Sequence, residues 1–356
     1  STIEIPLYSP TDEDNVESKC RSNSMEEYQD DVKLPSPRSI SAPQRTKRAG
    51  WFDNAFGSKT GKGEVSMVRK TVFVTGGAGF IGSHIVEHLV KQNKKIVVLD
   101  NLSTGRIENL KEFKKNIKFI KCDISKKGKW IKEFSGKCLV LHFAALADVV
   151  PSIQKPKKYF DANVNGTINI LEACKKAKIL KFIYSASSSC YGIPKKYPTN
   201  ENEKIDPQYP YALTKKLGED LIIHWSKIYK FPYISVRLFN VYGTRSRTSG
   251  TYGAMFGVFL AQKIAKKPYT IVGSGKQTRD FTYVKDVVDV IMILCKSKLV
   301  NEIFNIGSGQ TVSVNKIVKI LGGKKVFIKK RPGEPDCTFA DITKIRQKTR
   351  WKPKIK

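Results

Sequence analysis

Residues 71–100 read TVFVTGGAGFIGSHIVEHLVKQNKKIVVLD. A β-branched run meets a cluster of glycines, then apolar residues at helical spacing, then a second β-branched run ending in Asp100. Two short apolar strands joined through a helix cannot pair as a hairpin. They form a right-handed crossover and lie parallel, in a sheet that needs helices on both faces. The alternation continues. NIKFIKCDI (116–124), KCLVLHFAA (137–145), KFIYSAS (181–187) and YISVRLF (233–239) read as strands, and residues 160–178 and 210–230 as helices. The pattern predicts an α/β chain, a Rossmann-type doubly wound parallel sheet. Beyond about residue 245 the alternation loosens and Gly and Pro become frequent, which predicts a smaller C-terminal α/β substrate-binding lobe.

The glycines carry chemistry as well as shape. Gly76, Gly79 and Gly82 stand at a G-x-x-G-x-x-G spacing between strand and helix. Glycine there permits a tight turn and lets a pyrophosphate approach unpaired N–H groups at the helix N-terminus. Asp100 follows Gly76 by 24 residues, at the end of the next strand, where a carboxylate accepts hydrogen bonds from a ribose diol. A carboxylate there repels a 2′-phosphate, and no Arg directly follows it, so NAD is expected rather than NADP. The competing reading of Asp100 as a simple turn cap does not account for its pairing with the glycines.

Composition removes other classes. The chain of 356 residues carries a net charge of +32. From Met67 onward there are 46 Lys and only 9 Arg, spread over nearly every segment. Specific nucleic-acid readers use clustered Arg with interleaved aromatics, so no specific nucleic acid is expected. No apolar run approaches the ~18 residues of a membrane helix. The N-terminus lacks an apolar signal segment, and the seven cysteines are scattered without CxxC or Cys/His spacing. These features predict no metal site and a reducing, cytoplasmic compartment.

Residues 1–66 differ from the rest, with 11 acidic and 9 basic residues, many Ser and Pro, and no sustained apolar period. They read as a disordered extension with an unknown partner. Residues 67–245 are expected to form the dinucleotide-binding domain, with a segment near 280–300 returning to it. Residues 246–356 are expected mainly to form the substrate lobe.

TGGAGFIGSHIVEHL, LDNLSTG, CDI, HFAAL, NVNGT, SASSSCYG, YALTK and RLFNVYG occur in the order seen in extended short-chain dehydrogenases/reductases. More narrowly, residues 68–353 resemble the nucleotide-sugar 4-epimerases, with the UDP-glucose and UDP-N-acetylglucosamine enzymes as the nearest type. The resemblance implies NAD, a UDP-sugar substrate and a homodimer. It implies that Phe80 and Ile81 line the cofactor with the glycines, that Asp100 and Asn101 hold the adenosine ribose, and that Asp123 and Ile124 flank the adenine. Phe143, Ala144, Ala145 and Asn163 would lie along the cofactor. The family pattern continues past W-x-P into a final helix that has no counterpart before Lys356.

Tyr211 and Lys215 of YALTK share one helix face. A neighbouring cation favours the phenolate of a tyrosine, and the resemblance makes Tyr211 the acid–base and Lys215 a partner that also binds the nicotinamide ribose. It makes Ser187 the hydroxyl that binds the reacting oxygen. The related dehydratases carry Asp-Glu at the next two positions, whereas this chain has Ser188 and Ser189, which leaves the redox steps and removes the acids for elimination. Ser188, Ser189, Asn240, Arg279, Arg331 and Glu334 are the implied substrate contacts. Thr338 stands where the family gates the sugar, and its small size implies room for N-acetyl groups. The expected function is therefore NAD-dependent C4 epimerisation. The alternatives are a related decarboxylase or 4-keto reductase, or a non-catalytic binding module.

Overall fold

In the computed structural model, which describes residues 70–248, 255–330 and 334–355, the opening βαβ unit forms as expected. Strand β1 (Thr71–Thr75) leads into helix α1 (Phe80–Lys91) and strand β2 (Lys95–Asp100). Strands β3 (Ile117–Lys121) and β4 (Lys137–His142) follow, then helices α2 (Val149–Gln154), α3 (Pro156–Phe160) and α4 (Gly166–Cys174). Strand β5 (Lys178–Ser187), helix α5 (Pro210–Tyr229) and strand β6 (Tyr233–Leu238) come next. The remaining elements are β7 (Val241–Tyr242), α6 (Met255–Ile264), β8 (Tyr269–Val272), β9 (Thr278–Arg279), β10 (Thr282–Tyr283) and α7 (Val284–Lys296). They are followed by β11 (Glu302–Ile306), β12 (Val312–Ser313), α8 (Val314–Leu321), β13 (Lys325–Ile328), β14 (Cys337–Thr338) and α9 (Thr343–Thr349).

Seven strands form one sheet in the order β11-β6-β5-β4-β1-β2-β3, with every adjacent pair parallel. The side-chain period of two divides β1 between two cores. Val72 and Val74 join Ile85, Val86 and Leu89 of α1 and Val287 and Ile291 of α7. Phe73 faces the other way, against Ile170 and Leu171 of α4 and Ile222 of α5. Each such fully buried side chain contributes about 1.5–3 kcal/mol. Strand order reverses at β1, so the crevice beyond the carboxyl ends of β1 and β4 is where this topology opens a ligand site.

The return to the main sheet is larger than the 280–300 segment expected. It includes β11 as an edge strand, and Ile342, Ile345 and Trp351 pack into the core under α1 and α7. The five-residue strand β11 lacks a long apolar run, so sequence alone did not mark it. A separate small core of Phe259, Tyr269, Ile271, Val314, Ile317 and Val318 holds α6, α8 and β8 together. The helix expected over 160–178 ends at Cys174, and residues 161–165 make a π-helical turn within it. The expected 1–66 extension lies outside the described residues.

Candidate active site

A cavity of about 920 Å³ opens at the switch point. Gly76, Gly79, Phe80, Ile81, Gly82, Asp100, Asn101, Asp123, Ile124, Phe143, Ala144 and Ala145 line one side. Ser187, Ser188, Ser189, Tyr211, Lys215, Asn240, Arg279, Glu334 and Thr338 line the other. Arg331 lies outside the described residues. Asn163 is the exception: it is buried and is absent from the cavity wall. Its amide accepts from the Leu146 N–H at 2.8 Å and donates to the Leu146 carbonyl and to Thr214 Oγ1 at 3.0 Å. Asn163 thus ties the loop after β4 to the first turns of α5.

The glycine turn is sterically committed. Gly76 takes a left-handed φ of +68°, and a Cβ on Gly82 would fall 2.1 Å from the Gly76 carbonyl oxygen. No side chain fits there, so the helix N-terminus stays open to an anion. Thr75 fixes the turn from below, its Oγ1 accepting the Phe143 and Ala144 N–H groups at 3.2 and 3.1 Å and meeting His142 Nδ1 at 2.7 Å. Burial drives His142 down to about 3, so the ring is neutral.

Asp100 is engaged in the turn and open to the cavity. Its two oxygens accept the N–H groups of Ala78 (2.9 Å) and Leu102 (2.8 Å), bracing the glycine turn and the chain after β2. It also lines the cavity, and each oxygen keeps a lone pair for a further donor. Burial pushes its carboxyl upward, against those two hydrogen bonds. Asn101 and Asp123 are exposed, and their side chains accept the Ser103 and Ser125 N–H groups.

At the other end, α5 starts at Pro210, whose missing N–H costs nothing in a first helical turn. The Tyr211 phenol lies close enough to the Ser187 hydroxyl for that group to hold its pKa down, and the same hydroxyl accepts the Ser189 N–H at 3.2 Å. One turn along, the Lys215 ammonium lies 4.4 Å from the centre of the Tyr184 ring. Gly218 makes this possible, because a Cβ there would meet the Tyr184 hydroxyl at 2.1 Å. Burial pushes Tyr211 up to about 12, the hydrogen bond from Ser187 opposing it, and drives Lys215 down to about 7. The lowering expected from a neighbouring cation works against this desolvation. Desolvation is the largest influence on both groups.

Below these groups, Arg237 of β6 pairs with Glu219 of α5 at 2.7 Å and donates to the Tyr191 hydroxyl at 2.9 Å. Tyr191 donates in turn to Asn305 of β11. This buried network pins the serine loop, α5 and the sheet edge together. Toward the small core, Arg279 pairs with Glu334 at 2.8 Å, and Asn240 Nδ2 donates to Thr338 Oγ1 at 2.8 Å. Tyr209, Asp148 and Arg247 are among the cavity residues the sequence reading missed. Tyr209 stacks on Tyr211 with ring centres 6.4 Å apart, and Asp148 pairs with Arg247 at 2.5 Å. Asp148 and Arg247 are 99 residues apart, and no local pattern joins them.

Residues 72–307 match the model of the NAD dependent epimerase/dehydratase family. The chain belongs to this family. A UDP-glucose 4-epimerase of Lactobacillus helveticus is 34% identical over 308 residues, 80% of this chain and 92% of that one. Among solved structures, a UDP-N-acetylglucosamine 4-epimerase from Methanobrevibacter ruminantium, in complex with UDP-N-acetylmuramic acid, superposes with a TM-score of 0.74 at 32% identity. It covers 80% of this chain and 93% of its own. The UDP-glucuronic acid 4-epimerase from Bacillus cereus, with UDP-glucuronic acid and NAD, gives the same TM-score and identity, covering 80% and 95%. NAD is the cofactor of the family, and the residues present fit it: an open helix N-terminus at Gly82 and a carboxylate with spare acceptors at Asp100.

Proposed function

We propose that the protein interconverts the C4 epimers of a UDP-hexose or UDP-N-acetylhexosamine through a 4-keto sugar. The Ser187–Tyr211 contact supports this reading most directly, because it joins two hydroxyls on one cavity wall with Lys215 a turn away. Bound NAD supplies the hydride acceptor and, in the return step, the donor. Tyr211 takes the proton of the O4 hydroxyl and later gives it back, while Ser187 hydrogen-bonds that oxygen. Lys215, when protonated, favours the phenolate. Asn240, Arg279 and Glu334 would hold the nucleotide end, where Arg suits bidentate phosphate binding. Serine at 188 and 189 offers no acid to expel water from the keto sugar. The intact hydroxyl pair also speaks against a non-catalytic module.

Thr338 faces the cavity with its hydroxyl committed to Asn240. A side chain this small leaves room for an N-acetyl group. NMR of product mixtures from a panel of UDP- and GDP-sugars tests the reading. UDP-glucose and UDP-N-acetylglucosamine should each give the C4 epimer, and Thr338→Tyr should abolish only the second. A protein that yields no epimer from any donor contradicts the reading.

The same reading carries a cytoplasmic location and a homodimer. No described helix is long and apolar enough to cross a membrane, and Leu213, Ile228 and Tyr229 of α5 are exposed apolar groups suited to a second copy. A monomer by light scattering would contradict the dimer.

A further inference from the structure

The relatives include enzymes named for neutral and for carboxylate-bearing sugars at nearly equal identity, so a local feature must set the charge this chain accepts. Asp148 sits at the N-cap position of α2, where an aspartate ordinarily accepts a helix N–H. It makes no such bond. Its carboxylate reaches across to Arg247 instead, Nη2 to Oδ1 at 2.5 Å, with both side chains partly buried and lining the cavity. Asp148 is also one of the charges that raise the pKa of Tyr211, and it acts with Arg247 on Tyr159. The pair and the phenol that would meet O4 line the same cavity.

Resting on the epimerase reading, we propose that the Asp148–Arg247 pair makes this site selective for sugars uncharged at C6, and selects against hexuronates. C6 hangs from C5, the neighbour of C4, so a charge on C6 is carried close to the Tyr211 oxygen whichever face of the sugar is presented. A C6 carboxylate could gain Arg247 only by displacing Asp148. That would leave two carboxylates sharing one guanidinium in a partly desolvated wall, where like charges within about 4–6 Å oppose each other. A neutral CH₂OH needs no exchange of partners. The selectivity is thus built by repulsion as much as by contact.

The test measures kcat/KM and affinity for UDP-glucose and UDP-glucuronate with the NAD-loaded wild type, Asp148→Ser and Asp148→Asn. Wild type should prefer UDP-glucose by about 100-fold, and each variant should narrow the preference at least tenfold by a gain on UDP-glucuronate. Asn keeps the size and polarity of Asp, so it serves if Ser disturbs folding. Wild-type turnover of UDP-glucuronate within tenfold of UDP-glucose overturns the proposal and leaves the epimerase reading standing. An unchanged preference in both variants does the same. If neither these sugars nor UDP-N-acetylglucosamine are epimerised the epimerase reading falls, and equal affinities for UDP-glucose and UDP-glucuronate then overturn the charge selection too.

Discussion

Ser187 and Lys215 are buried and Tyr211 is half-buried beside them, and desolvation is the largest influence on the phenol and the ammonium. Tyr211→Phe removes the proton carrier and should lower kcat by at least about 10³-fold. Ser187→Ala should cost about 10²-fold, at the low end of the range for a general acid–base partner, with little change in KM. Steady-state kinetics on UDP-glucose checks both, and equal losses would deny Tyr211 its separate role. Lys215 yields a stability prediction with a definite sign. Its folded-state pKa of about 7 lies below its ordinary value of 10.5. Below pH 7 both folded and unfolded chains carry the proton, and the cost of burying the ammonium is fully present. As pH rises from 7 toward 10.5 the folded chain gives the proton up and the cost is relieved. Lys215→Met should therefore raise the Tm of the cofactor-free protein most at pH 6, the difference shrinking toward pH 10. A difference that grows with pH would contradict the burial argument. That Tyr211 and Ser187 share one cavity was legible from motif and spacing. The pKa values were not, because a sequence does not show how much of a phenol or an ammonium is out of water.

At the scale of elements, the turn between β1 and α1 is the most constrained part of the cofactor side. Glycine at 79 and at 82 looks equivalent in sequence but is not in space. A Cβ on Gly79 would lie 3.1 Å from the Gly76 carbonyl oxygen, and one on Gly82 only 2.1 Å away. Backbone cannot move aside as a flexible side chain can. Gly82→Ala should cost about 3 kcal/mol or more of stability, as backbone strain of this kind does, and should weaken NAD binding. Gly79→Ala should cost well under half as much. Thermal melts with and without NAD check the ranking, and equal costs would overturn it. The βαβ pattern and the glycine turn were readable because their periods are local. Motif analogy set Asn163 along the cofactor, and only the fold shows its amide spent on Leu146 and Thr214. The Asp148–Arg247 pair joins segments that approach only once the chain has folded.

Across the whole molecule, the seven-stranded sheet brings the end of β1, the serine loop after β5 and the start of α5 to one crevice. The presence of strands β1 to β6 followed from alternation alone. The seventh strand did not, because β11 is short and comes after residues that belong to a different core. What this assembly is built to do is pass hydrogen from C4 to a retained cofactor and back. The most direct measurement follows a deuterium at C4 of the UDP-hexose through turnover in ordinary water, by NMR and mass spectrometry of the epimer, with no added NAD or NADH. The account predicts that the epimer keeps its deuterium at C4 and that bound NAD shows no net reduction. An epimer that has exchanged deuterium for solvent hydrogen, or one formed only with stoichiometric consumption of cofactor, would contradict it.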